Sequence, residues 1–86
     1  MNKLLIEFLG TAFLIFIILS IGHPIAVGLT VALIAFIGLP ISGGHYNPVV
    51  SAVMASKGII SMSDLATFTL SQLLGGFVGF ELSKRL

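Results

Sequence analysis

Apolar residues fall into three long runs, at about 4–21, 24–40 and 65–82, and polar residues collect between the second and third. A helix needs about 17–25 residues to cross a bilayer, so each run predicts one span. Gly22-His23-Pro24 makes the first link a tight turn, with Pro24 at a favoured first helical position. The stretch 41–58 breaks the pattern. Ser42-Gly43-Gly44 is flexible, and Asn47-Pro48 pairs a good N-cap with the residue preferred just after it. A helix is therefore expected from Pro48 to about Lys57, ended by Gly58. At 1.5 Å per residue it is roughly 15 Å long, about half of the ~30 Å hydrocarbon core. It is too short to cross and long enough to reach the middle. Extended backbone before such a helix survives at membrane depth only where protein or water pairs it. That describes a re-entrant loop, a structure that lines pathways. An interfacial loop with a surface helix fits the same residues.

Composition supports the bilayer. The chain has 86 residues, 57% apolar and only 8% charged, whereas soluble domains carry about 25% charged residues. The fold class expected is an all-α, integral, multi-pass membrane protein. It is a single membrane domain, 1–86, of three transmembrane helices plus one re-entrant half-helix, with the lipid bilayer as its surroundings. Lys3 and the run Phe8–Ile21 also fit a secretory signal, but Glu7 interrupts it and Pro24 lies at the cleavage region. A net charge of +1 without a basic patch argues against nucleic acid. There is no cysteine, and no His, Asp or Glu set has metal-ligand spacing, so neither a metal nor another cofactor is expected. No nucleophile–base–acid set is visible, which argues against an enzyme. Two small-residue faces, Gly28/Ala32/Ala35 and Ser71/Gly75/Gly79, read as helix seams.

Three motifs in order carry a family resemblance. Ser42-Gly43-Gly44-His45-Tyr46-Asn47-Pro48-Val49-Val50-Ser51 resembles the first Asn-Pro-Ala loop of the aquaporins and aquaglyceroporins, with Val49 in place of Ala. Glu7-Phe8-Leu9-Gly10-Thr11 is similar to the family's first-helix motif, and Ser71-Gln72-Leu73-Leu74-Gly75-Gly76-Phe77 to its third-helix motif. The likeness is to one repeat of a fold that contains two in inverted orientation. It implies a passive channel for water or small uncharged solutes such as glycerol.

The resemblance also assigns roles. Asn47 caps the half-helix and offers its amide to the permeating molecule, while Pro48 starts the helix. Gly43, Gly44 and His45 supply backbone carbonyls along the pore. Glu7 and Gln72 brace the loop; Glu7 as an interfacial charge close to the N-terminus is the plainer alternative. One repeat cannot enclose a pore. Lys3 and Lys57 on one side balance Lys84 and Arg85 on the other, so the Lys/Arg bias that orients membrane proteins is missing. An antiparallel homodimer follows as the expected partner arrangement; whether such pores gather into a larger ring or higher oligomer, as family members form tetramers, is left open by the sequence. In that dimer the constriction falls on Val27, Ala35, Gly44 and Val50, with no arginine, which favours small neutral solutes over strict water selectivity. Two other readings remain: a dual-topology secondary transporter coupled through Glu7, and a non-transporting subunit or relic of a full-length channel.

Overall fold

The computed structural model describes residues 2–86. Among them are four helices and no strand: α1 (Lys3–Ser20), α2 (Pro24–Gly38), α3 (Pro48–Ser56) and α4 (Met62–Ser83). Every helix opens under a side-chain cap. Asn2 Oδ1 accepts from the Leu4 and Leu5 amides, His23 Nδ1 from Ile25, Asn47 Oδ1 from Val49 and Ser61 Oγ from Asp64. These bonds satisfy N–H groups that the first turn leaves without partners.

The Ser61 cap explains why α4 starts three residues before the apolar run at 65. Ser61→Ala is expected to cost about 1 kcal/mol, read as faster amide exchange at Asp64 and Leu65 with the rest of α4 unchanged. Slow exchange at both amides in the variant would refute the cap's role. At the other end of the second apolar run, α2 stops at Gly38. Pro40 has no N–H to extend the ladder, and the chain leaves through turns in which the Ser42 and Gly43 amides return to the Gly38 carbonyl. Two helices, α1 and α4, are long and apolar enough to cross a membrane; α2, at 15 residues, is shorter.

α1 and α4 lie side by side and parallel. Lys3 Nζ meets Asp64 Oδ1 at 2.9 Å where both helices begin. Further along, Gly75 backs onto the Phe8 carbonyl and Gly79 onto that of Ala12. The Gly75/Gly79 face is thus a seam in which backbone touches backbone, as in helix pairs that lack a hydrophobic drive to associate. The second small-residue face behaves otherwise. Nothing lies within 4 Å of a Cβ built on Gly28, Ala32 is exposed, and only Ala35 meets another segment, at Gly44. Gly28 and Ala32 therefore form no seam among the described residues, because α2 turns that face outward.

The interior is polar and the exterior apolar. Phe68, Gln72, Glu7 and Ser51 are the largest fully buried side chains, while Phe36, Leu29, Leu39 and Phe77 are exposed. A soluble domain shows the reverse. With hydrocarbon outside, only polar bonds and close packing distinguish inside from outside.

Candidate functional site

Residues 42–47 cross the interior without regular structure, so their backbone groups need partners from elsewhere. Gly43 and Gly44 adopt φ of 95° and 66°, in the left-handed region that glycine occupies without a Cβ clash. Tyr46 joins them at φ 53°, the one non-glycine residue with positive φ among the described residues.

Glu7 holds this loop from α1. Its Oε2 accepts from Ser42 Oγ at 2.6 Å and the His45 amide at 3.0 Å. Its Oε1 accepts from the Tyr46 amide at 2.7 Å and Gln72 Nε2 at 2.9 Å. All these partners donate, which matches the acceptor-only chemistry of a carboxylate. Gln72 Nε2, from α4, also donates to Ser51 Oγ at 3.0 Å, and Ser51 Oγ lies 2.8 Å from His45 Nδ1. Ser51 Oγ accepts from Gln72 and has both a hydrogen and a second lone pair with which to meet His45 Nδ1. The ring packs against Phe68, with centroids 5.1 Å apart. One buried network therefore joins α1, the loop, α3 and α4.

Sequence reasoning named Glu7, Gln72 and His45 in this network but gave no role to Ser42, Tyr46 or Ser51. Ser51 had a usable signal, as the lone hydroxyl within Pro48–Ala55. Tyr46 had one too, as the chain's single tyrosine. Its hydroxyl donates to the Ile34 carbonyl at 2.6 Å, and its ring fills space left by the missing side chains of Gly10 and Gly38.

Asn47 uses Oδ1 for the Val49 amide, and its Nδ2 has no hydrogen-bond partner among the described residues. The Gly43, Gly44 and His45 carbonyls likewise accept from no described residue. Asn47 and Pro48 border a cavity of about 550 Å³ between α1 and α4, with Thr11 and Gln72 beside them and Leu19 and Phe80 toward the far end. Thr11 and Gln72 stand near the midpoints of their helices, so α3 begins at mid-depth of the bundle. Thr11 Oγ1 and Gln72 Oε1 are buried without partners among the described residues. A second, apolar cavity of about 220 Å³ lies between α1 and α2. Val27, Ala35 and Val50 are half-buried and line neither cavity; nor do Gly43 and Gly44. Of the five, Ala35 and Gly44 are in contact, and none borders the space beside Asn47.

A polar, bonded interior inside an apolar shell, with an irregular loop at mid-depth, defines an integral membrane protein. The chain belongs to the major intrinsic protein family, matching it over residues 1–86, and is accordingly a multi-pass membrane protein. It is 36% identical to glycerol uptake facilitator protein-like 6 of Lactiplantibacillus plantarum, over 91% of this chain and 40% of that protein. It is 37% identical to aquaporin Z of Brucella melitensis, over 87% of this chain and 40% of the relative. With aquaglyceroporin AqpS of Rhizobium meliloti the identity is 36%, over 73% and 27%. The chain thus spans about 40% of the length of the first two relatives. No solved structure matches it.

Proposed function

We propose that the chain forms half of a passive channel for water and small uncharged solutes such as glycerol. In this reading α1, α2 and α4 are spans, and residues 41–58, with α3, form a re-entrant half-helix. A second copy in antiparallel orientation completes the pore. The observation that carries the reading is Asn47: a free amide at the N-terminus of a nine-residue helix that starts at mid-depth. The amide offers a donor to a passing hydroxyl or water, and the unpaired carbonyls of Gly43, Gly44 and His45 offer acceptors. The positive end of the helix dipole, doubled by the partner's, disfavours cations.

The relatives' names, a glycerol facilitator, an aquaporin and an aquaglyceroporin, supply the solute class. The balance of Lys3 and Lys57 against Lys84 and Arg85 supports insertion both ways round. In the dimer Val27, Ala35, Gly44 and Val50 form a wide apolar constriction, while Pro48, Glu7 and Gln72 keep the loop in place. Glu7 already accepts from four donors, which favours a bracing role over coupling in a transporter.

The test is stopped-flow light scattering on proteoliposomes of the chain, with sucrose and then glycerol gradients. Water and glycerol flux above that of empty liposomes is expected. Asn47→Asp keeps the capping oxygen and removes the donor, so glycerol flux should fall about fivefold, the equivalent of one hydrogen bond of ~1 kcal/mol. Flux at the level of empty liposomes, from chain shown to be folded and inserted, would overturn the self-assembled channel.

A further inference from the structure

Tyr46 stands out from the network around it. Among the described residues it alone lines both cavities, the 550 Å³ space beside Asn47 and the 220 Å³ groove between α1 and α2. It is 7% exposed and held at each end: its amide bonds to Glu7 Oε1, and its hydroxyl to the Ile34 carbonyl. A Cβ on Gly10 would fall on its ring, and one on Gly38 on its hydroxyl, so both helices are cut back to admit it. Its φ of 53° is uncommon for a bulky residue and persists only where the surroundings enforce it.

Two consequences follow from that position. Tyr46 turns the chain in the left-handed sense immediately before Asn47, which then takes extended backbone (φ −155°, ψ 125°) and starts α3. The turn therefore sets where the Asn47 amide points. Tyr46, meanwhile, stands between the two cavities as the residue common to both linings. Removing it would join them, widening the space beside Asn47 toward the apolar groove.

We infer that Tyr46 is a positioning and selectivity-determining residue: its ring, wedged in the notch of Gly10 and Gly38, aims Asn47 and seals the pathway from the groove between α1 and α2. The inference rests on the channel reading, and its test separates the two. In proteoliposomes, erythritol permeability relative to water is measured for wild type, Tyr46→Phe, Tyr46→Ala and Gly10→Ala. Tyr46→Phe keeps the ring, so it should keep the wild-type ratio. Tyr46→Ala removes the wall and Gly10→Ala displaces it from the other side. Each should raise the ratio about tenfold, the scale on which one pocket contact discriminates between solutes. Conducting Tyr46→Ala and Gly10→Ala proteins with the wild-type ratio would overturn the inference.

A second measurement needs no variant and no flux. The chain has one tyrosine and no tryptophan, so its ultraviolet emission isolates this ring. Emission from the reconstituted wild type should resist brominated lipid, since the ring fills the notch of Gly10 and Gly38. Quenching by that lipid means that the ring does not seal the groove, and the inference fails. Wild type that conducts nothing but resists the quencher would sink the channel reading and leave the wall standing.

Discussion

Glu7→Ala is expected to abolish the folded protein. The Ser42 hydroxyl, the His45 and Tyr46 amides and the Gln72 side chain all donate to this carboxylate. Truncation leaves these donors in an interior whose outer surface is hydrocarbon, where water offers little help. Each buried unsatisfied group costs about 1–3 kcal/mol. Even with partial relaxation the loss is on the order of 5 kcal/mol, comparable to the whole stability of a small domain. Glu7→Gln should fare little better. Its amide nitrogen brings a fifth donor to a point where the others converge, and its one oxygen cannot replace two. The check is size-exclusion profile and thermal unfolding in mild detergent. Glu7→Gln that is monodisperse and melts within a few degrees of wild type would show that the bonds to Glu7 do not hold the loop. That result would revive a coupling role for the carboxylate.

The second large effect lies at Gly75. A methyl group there would overlap the Phe8 carbonyl oxygen, and the atoms it meets are backbone with no side chain to swing aside. Gly75→Ala must therefore separate α1 from α4. Overpacking of this kind costs about 1–3 kcal/mol or more, and the separation also draws Gln72 away from Glu7. The neighbouring Gly76 is the control. A Cβ there would sit 3.7 Å from Ile15 Cγ1 and 3.9 Å from Thr11 Cγ2, ordinary contact distances. Gly76→Ala should be neutral or more stable by about 0.5–1 kcal/mol, because alanine loses less backbone freedom in a helix. Melting temperatures of the two variants, made in parallel, give the answer. Equal behaviour would refute backbone contact along the α1–α4 seam.

The family of this chain and much of its helical layout were legible in the sequence. Asn-Pro signals a helix start through chemistry local to two residues, and a nearly uncharged apolar run signals a helix among lipids through composition alone. The Gly75/Gly79 spacing likewise announces close helix contact. Local rules served less well at boundaries. The Ser61 cap begins α4 before its apolar run, and Pro40 leaves α2 short of the run's end.

What local rules could not supply is which polar group bonds to which. Glu7 and Gln72 are separated by 65 residues, and Glu7 and Tyr46 by 39. Their meeting depends on α1 and α4 running parallel with the loop pressed between them. Ser51 and Tyr46 looked like ordinary helix and loop residues until that packing gave them partners. Gly28 and Ala32 looked like a seam and turned outward, since spacing identifies a small face but not the element that covers it. The sequence by itself determined the membrane setting, the half-length helix and the family, because these depend on composition and near neighbours. Only the tertiary structure decided the full set of partners around Glu7 and the place of Tyr46 between the two cavities, because hydrogen bonds are directional and their partners are set by three-dimensional register.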